Sequence, residues 1–261
     1  MIIHDELLDI PAEQYEEIYR QIFYDVTKDL KPVENPVALV IGGQPGSGKT
    51  TMFLKMKKET YNNNIAQLDN DFFRKYHPNY HKLYEKYKKE VGTYTNEFVS
   101  KLIDRLAEDL AANNYNFSVE SSFRNAETVT WLHDLLKNTP YSLNVILVST
   151  PKEIAWESVK KRYNDMKEIA AKAAINGETI EPPRAVPWEF FDNSCKCIPG
   201  TIREIWENKD DLNVGNILAV TRSSLRIYDS AVTPNIDPSY IISNWLERKK
   251  IETCHDYEIS K

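Results

Sequence analysis

The densest chemical signal in this 261-residue chain lies in VALVIGGQPGSGKTT, residues 37–51. Within it, Gly43-Gln44-Pro45-Gly46-Ser47-Gly48-Lys49-Thr50 satisfies G-x-x-x-x-G-K-[ST] at every fixed position. The glycines let the chain curl with its amides inward, at the positive end of a helix. Lys49 can then reach the β- and γ-phosphates of a nucleotide, and the Thr50 hydroxyl, with Thr51 beside it, can ligate Mg²⁺. The context agrees: an apolar run precedes the loop and a helical pattern, TMFLKMKKET, follows it. This is a nucleotide phosphate site.

Holding a phosphate is not yet chemistry, because switches, motors and small-molecule kinases share this loop. NKDD at 208–211 matches the base-reading N-K-x-D of a GTPase, but it follows the amphipathic TIREIWE and no DxxG accompanies it. It reads as a helix-ending polar turn. A motor ATPase wants an apolar strand ending in an acid. The strongest strand, LNVILVST, ends in Ser-Thr, and only FSVE, ending at Glu120, comes near. Phosphotransfer to a bound small acceptor is the class that remains.

Such transfer needs a general base at the acceptor hydroxyl and positive charge around the moving phosphoryl group. LDNDFFRKYHPNY, residues 68–80, puts Asp69 and Asp71 just past a short strand. In open α/β sheets that edge is where ligands sit. Asp69 suits a helix cap; Asp71 is the candidate base.

The elements that must position these residues follow from periodicity. Strands are expected at 37–41, 65–68, 117–120 and 143–148, with NILAVT and LRIYDS as two more around a tight turn. Helices are expected at 12–30, 80–90, 95–112, 126–138, 152–175, 188–207 and in a last segment ending near 250. NGETIEPPRAVP, with one glycine and three prolines, breaks the long helix and suits a lid. Alternation of strand and helix predicts an α/β fold: a mostly parallel sheet sandwiched by helices, P-loop kinase-like, with a helical lid. Without repeats or linkers, residues 1–261 read as one domain, with helix 12–30 packed on its core.

GGQPGSGKT, LDND-FF-HPNY, YTN, VESSFR and TRSSLRIYD, in this order over roughly residues 35–250, together resemble the zeta toxin family. These are the kinase-like toxins of epsilon–zeta toxin–antitoxin modules. The resemblance implies ATP as phosphate donor and a sugar hydroxyl of UDP-N-acetylglucosamine as acceptor, starving cell-wall synthesis. It also implies a small helical antitoxin partner covering the ATP site. The family's base falls on Asp71, and its E-G-T-x-R strand end on Glu120-Ser121-Ser122-Phe123-Arg124. Acceptor contacts are therefore expected from Glu120, Ser122 and Arg124, with Asn96 of the YTN segment, and a metal contact from Glu120. Two family arginines that neutralise the transferring phosphate match Arg162, in KKRYND, and Arg184, in EPPRAVP. Arginine suits that task because its planar fork pairs phosphate oxygens bidentately.

The departures lie on the acceptor side. Gly-Thr after the strand-end acid is Ser121-Ser122 here, and the family's acid on the YTN helix aligns with Ser100, with Glu97 about one turn earlier. They leave room for another acceptor: a different nucleotide sugar, a nucleotide or an antibiotic. A different class, an ATP-dependent binding or switch protein, would consume ATP or change shape without phosphorylating a small molecule.

Bulk composition narrows the partners. Net charge is −6, and the short basic runs KRY and RKK are flanked by acids, which is not the basic stripe of a nucleic-acid binder. No run approaches the ~18 apolar residues of a membrane span. The acidic MIIHDELLDI lacks a signal peptide's basic flank and apolar core. Three cysteines, Cys195, Cys197 and Cys254, form no disulfide or zinc pattern. A cytoplasmic protein is expected.

Overall fold

A computed structural model describes residues 5–175, 183 and 185–248. The first helix, α1, covers Ala12–Thr27 and buries Tyr19 and Ile22. Strand β1, Val37–Gly42, is buried along nearly its whole length because both its faces are covered. Helix α2, Lys49–Glu59, begins at the last residues of the glycine loop. Strand β2, Ala66–Leu68, leads into the short helices α3, Asn70–Phe73, α4, Tyr80–Tyr87, and α5, Val91–Tyr94. The helical pattern expected over 80–90 breaks at Lys88, which takes a φ of 50°.

Helix α6, Asn96–Ala112, turns an apolar stripe of Val99, Leu102, Leu106 and Leu110 into the core. Strand β3, Phe117–Ser121, helix α7, Glu127–Leu136, and strand β4, Ser142–Val148, follow. The long helix α8, Lys152–Ile175, matches its expected span, as does α9, Trp188–Glu207. Strands β5, Val214–Val220, and β6, Arg226–Asp229, then pair antiparallel, and helix α10, Pro238–Leu246, closes the described chain.

The six strands form one sheet in the order β2-β3-β1-β4-β5-β6. All neighbours except β5 and β6 run parallel. Tyr19 and Ile22 of α1 share the main hydrophobic cluster with Val40, Leu68, Leu102 and Val145. The second cluster puts Met52 and Phe53 of α2 against Leu39, Ile41 and Ile146.

Register decides where the chemistry can gather. Ile41 pairs with Glu120 and Gly42 with Ser121, while Gly42 also pairs with Leu147. Leu68 pairs with Val119, so Asp69 follows β2 level with Glu120. The carboxyl ends of β1, β2, β3 and β4 therefore line up along one edge, the edge at which α/β sheets hold ligands. Asn208 caps the end of α9, so NKDD is a turn, as expected. It precedes β5 and lies at the sheet's opposite edge.

Candidate active site at the carboxyl edge of the sheet

The loop between β1 and α2 has the backbone that its glycines foretell. Gly43, Gly46 and Gly48 all have positive φ. At Gly46, φ 76°, an added Cβ would strike the Ala155 carbonyl and come within 2.9 Å of Val159 Cγ2, so α8 packs directly on the loop. Hydrogen bonds with Thr150, just beyond β4, brace the curl as well. Gln44 Nε2 donates to the Thr150 carbonyl, and Thr150 Oγ1 donates to the Ser47 carbonyl at 2.9 Å. Gln44 Oε1 and Ser47 Oγ are buried in the loop without a hydrogen-bond partner among the described residues.

Lys49 folds back over this loop, its Nζ donating to the Gly43 carbonyl at 2.9 Å. Burial lowers its pKa, Glu120 works against that shift, and Arg162 reinforces it, while Asp69 and Asp71 also favour the charge. Four groups from three different segments thus act on one ammonium. The loop, the ends of β2 and β3, and α8 converge here, although Arg162 itself is exposed.

Glu120 is the most perturbed carboxylate of the group. Burial pushes its pKa up to about 7; Lys49 opposes the shift, Asp69 adds to it, and Gln67 holds the carboxylate with a 3.0 Å hydrogen bond from Nε2. The strand end beyond it is braced by Phe123. That residue takes a φ of 50° and presses its ring where a Cβ on Gly42 would lie. Phe123 N donates to Ser121 Oγ at 3.2 Å, and Arg124 Nε to Ser122 Oγ at 3.3 Å, with the Arg124 guanidinium over Phe190.

Asp69 is the helix cap that its position suggested, its carboxylate accepting the Asp71 amide at 2.8 Å. This leaves the Asp71 carboxylate projecting, with 55% of its side-chain surface exposed, 3.5 Å from Arg74 Nε. Arg74 was not foreseen, and it organises this side. Its Nη1 donates to the Gly92 carbonyl at 2.8 Å and Thr95 Oγ1 at 2.9 Å, and its Nη2 donates to Asn96 Oδ1 at 2.7 Å. Through Arg74, Asp71 and Asn96 are brought together. Arg74 lies three residues after Asp71 across a helical turn, and that spacing was a readable signal. Gln67 had none, since its partner is 53 residues away.

Glu97 points elsewhere. It pairs with Lys101 at 2.8 Å and lines a cavity of about 710 Å³ with His77, Tyr94 and residues of the N-terminal segment. Ser100 is exposed on α6, one turn after Asn96. Arg184 lies outside the described residues, as does most of the NGETIEPPRAVP segment.

The residues present fit a nucleotide with Mg²⁺. The cradle leaves no room for side chains at Gly43, Gly46 and Gly48, and two buried polar atoms inside it lack partners among the described residues. Thr50 and Glu120 are hard oxygen donors, which suit Mg²⁺. Among the described residues no three acidic, His or Cys side chains form a cage. Mg²⁺ needs none, since it usually takes one or two carboxylates plus phosphate oxygens and waters.

Fold and loop together define a P-loop protein of kinase-like architecture. The model of the zeta toxin family matches residues 23–233, and the chain belongs to that family. Toxin zeta of Streptococcus agalactiae is 27% identical over 243 residues, covering 93% of this chain and 80% of that one. Toxin PezT of Streptococcus pneumoniae serotype 4 is 29% identical over 187 residues, covering 72% and 70%. Among solved structures, the PezAT chromosomal toxin–antitoxin system of S. pneumoniae aligns at a TM-score of 0.79 and 23% identity, over 95% of this chain and 92% of that one. The AvrRxo1-ORF1:-ORF2 structure with ATP aligns at 0.58 and 10%, over 94% and 74%. At these identities the structures speak for the fold. No described helix is long and apolar enough to cross a membrane.

Proposed function

We propose that this chain is an ATP-dependent kinase that phosphorylates a sugar hydroxyl of UDP-N-acetylglucosamine, acting as the toxin of a toxin–antitoxin pair. The observation that carries the reading is the convergence on Lys49 of Glu120, Arg162, Asp69 and Asp71 beside the glycine loop. A switch needs the loop; it does not need a second set of carboxylates facing it from two other strand ends. Membership of the zeta toxin family and the toxin names of its relatives support the same reading.

In this mechanism the loop amides and Lys49 hold the donor's β- and γ-phosphates. Asp71 takes the proton from the acceptor hydroxyl, and Arg74 keeps its carboxylate in place beside Asn96. Arg162 and Arg184 stabilise the charge that develops as the phosphoryl group moves. Thr50 and Glu120 would hold Mg²⁺, which would supply positive charge to the phosphate oxygens. Ser122 and Arg124 bind the acceptor from the end of β3. A helical antitoxin is the proposed protein partner, by analogy with the PezAT system.

A second acceptor reading rests on one observation: the family's acid aligns with Ser100 here, and Glu97, about one turn earlier, is paired with Lys101. A different nucleotide sugar, or a nucleotide, is then the competitor. Incubation with Mg-ATP and a nucleotide-sugar panel, followed by mass spectrometry, decides between them with Asp71→Asn as control. A phosphate added to UDP-N-acetylglucosamine, and absent with the variant, supports kinase, acceptor and base together. ATP consumption with that sugar unmodified moves the acceptor elsewhere. Nucleotide binding without any phosphorylated product favours the switch.

A further inference from the structure

Arg222 follows β5 by two residues, inside the TRSSLRIYD block but with no role assigned above, and it sits against the phosphate loop. Its Nη2 donates to the Gly46 carbonyl at 3.3 Å and to Ser158 Oγ on α8 at 3.2 Å. Its Cβ lies where a side chain on Gly48 would be, 2.6 Å from an ideal Cβ there. The Gly46–Ser47 peptide is thereby pinned on both sides, since Ser47 N donates to the Gln44 carbonyl at 3.1 Å. On α8, Ser158 stands one turn before Arg162, so the two share a helix face. Ala155 and Val159 of that helix already touch Gly46.

We propose that Arg222 is a positioning residue that couples the phosphate loop at Gly46 to α8 at Ser158, and so fixes Arg162 relative to Lys49. The inference rests on the kinase reading above. A planar guanidinium suits the role: one nitrogen spans two acceptors on different elements, and its rigid fork loses little freedom in doing so. Arg222 acts here through Gly46, Ser158 and Arg162.

The test is a double-mutant cycle on the full chain, with melting curves to establish folding, reading ATP affinity by calorimetry and turnover by ADP release. Arg222→Ala is expected to lower kcat about 10²-fold, the scale of a small misplacement of catalytic groups. It should change the KM for acceptor little. Ser158→Ala, which removes only the α8 end of the link, should reproduce part of that loss at unchanged melting temperature. In an Arg162→Ala background the further loss from Arg222→Ala should shrink to within about twofold, because the residue it positions is gone. Equal losses in both backgrounds overturn the inference while leaving the kinase reading intact. A wild-type protein that binds no ATP overturns both.

Discussion

The two halves of the site are built differently. The nucleotide half is made of backbone: three glycines with positive φ, braced by Thr150, α8 and Arg222 and packed too closely for side chains. The proposed acceptor half is made of side chains on short elements, with Asp71 on a four-residue helix and Asn96 at the start of another. Arg74 joins them with hydrogen bonds to groups 18 to 22 residues away. A backbone cradle accepts the one feature all its ligands share, the phosphate. A side-chain frame can be altered residue by residue.

The largest effect expected from this contrast is a pure chemical loss on the acceptor half. Asp71→Asn should cut phosphoryl transfer by about 10²–10⁴-fold, the usual contribution of a general base, with ATP affinity unchanged in calorimetry. Undiminished transfer would remove Asp71 from the role. Gly46→Ala attacks the other half. With φ 76° and the Ala155 carbonyl in the way, it should cost roughly 1–3 kcal/mol of stability and abolish tight binding of an ATP analogue. If the analogue still binds as before, the rigid cradle is the wrong picture.

Arg74→Ala sharpens the division between halves. Losing one charge-assisted network should raise the acceptor KM about tenfold while the KM for ATP stays put. A matching rise in both would mean that the halves are not separable. Glu120 sits on the seam and gives a pH signature. Burial raises its folded pKa from 4.5 to about 7, so ionising it costs the fold, and stability falls as pH rises across that window. Glu120→Gln removes this slope. Its melting temperature should exceed that of the parent at pH 8 and converge with it near pH 4; parallel curves would show that Glu120 is not desolvated. The smallest effect belongs to Glu97→Gln. Its pair with Lys101 is exposed and screened by solvent, so neither stability nor transfer should move appreciably.

The glycine loop, the spans of α8 and α9, and the parallel order of strand and helix were all legible in the residues, because each rests on local rules. A loop whose glycines, lysine and threonine all fall within residues 43–50 carries its geometry in its own φ angles. An apolar run covered on both faces announces a buried strand wherever it sits. Asp69 as a cap was also readable, since a cap and its amide are two residues apart.

What the tertiary structure alone decided is which charges meet. Gln67 reaches Glu120 across 53 residues, and Arg222 reaches Gly46 across 176. Neither partner is marked by the local sequence, because the pairing arises from strand register and from the packing of α8 on the loop. The perturbed state of Glu120 has the same origin: desolvation is a property of the assembled sheet edge, absent from the string VESSFR. Local sequence thus determined that this protein holds a phosphate. Where its acids, arginines and lysine stand around that phosphate was settled only when four strand ends came level along one edge.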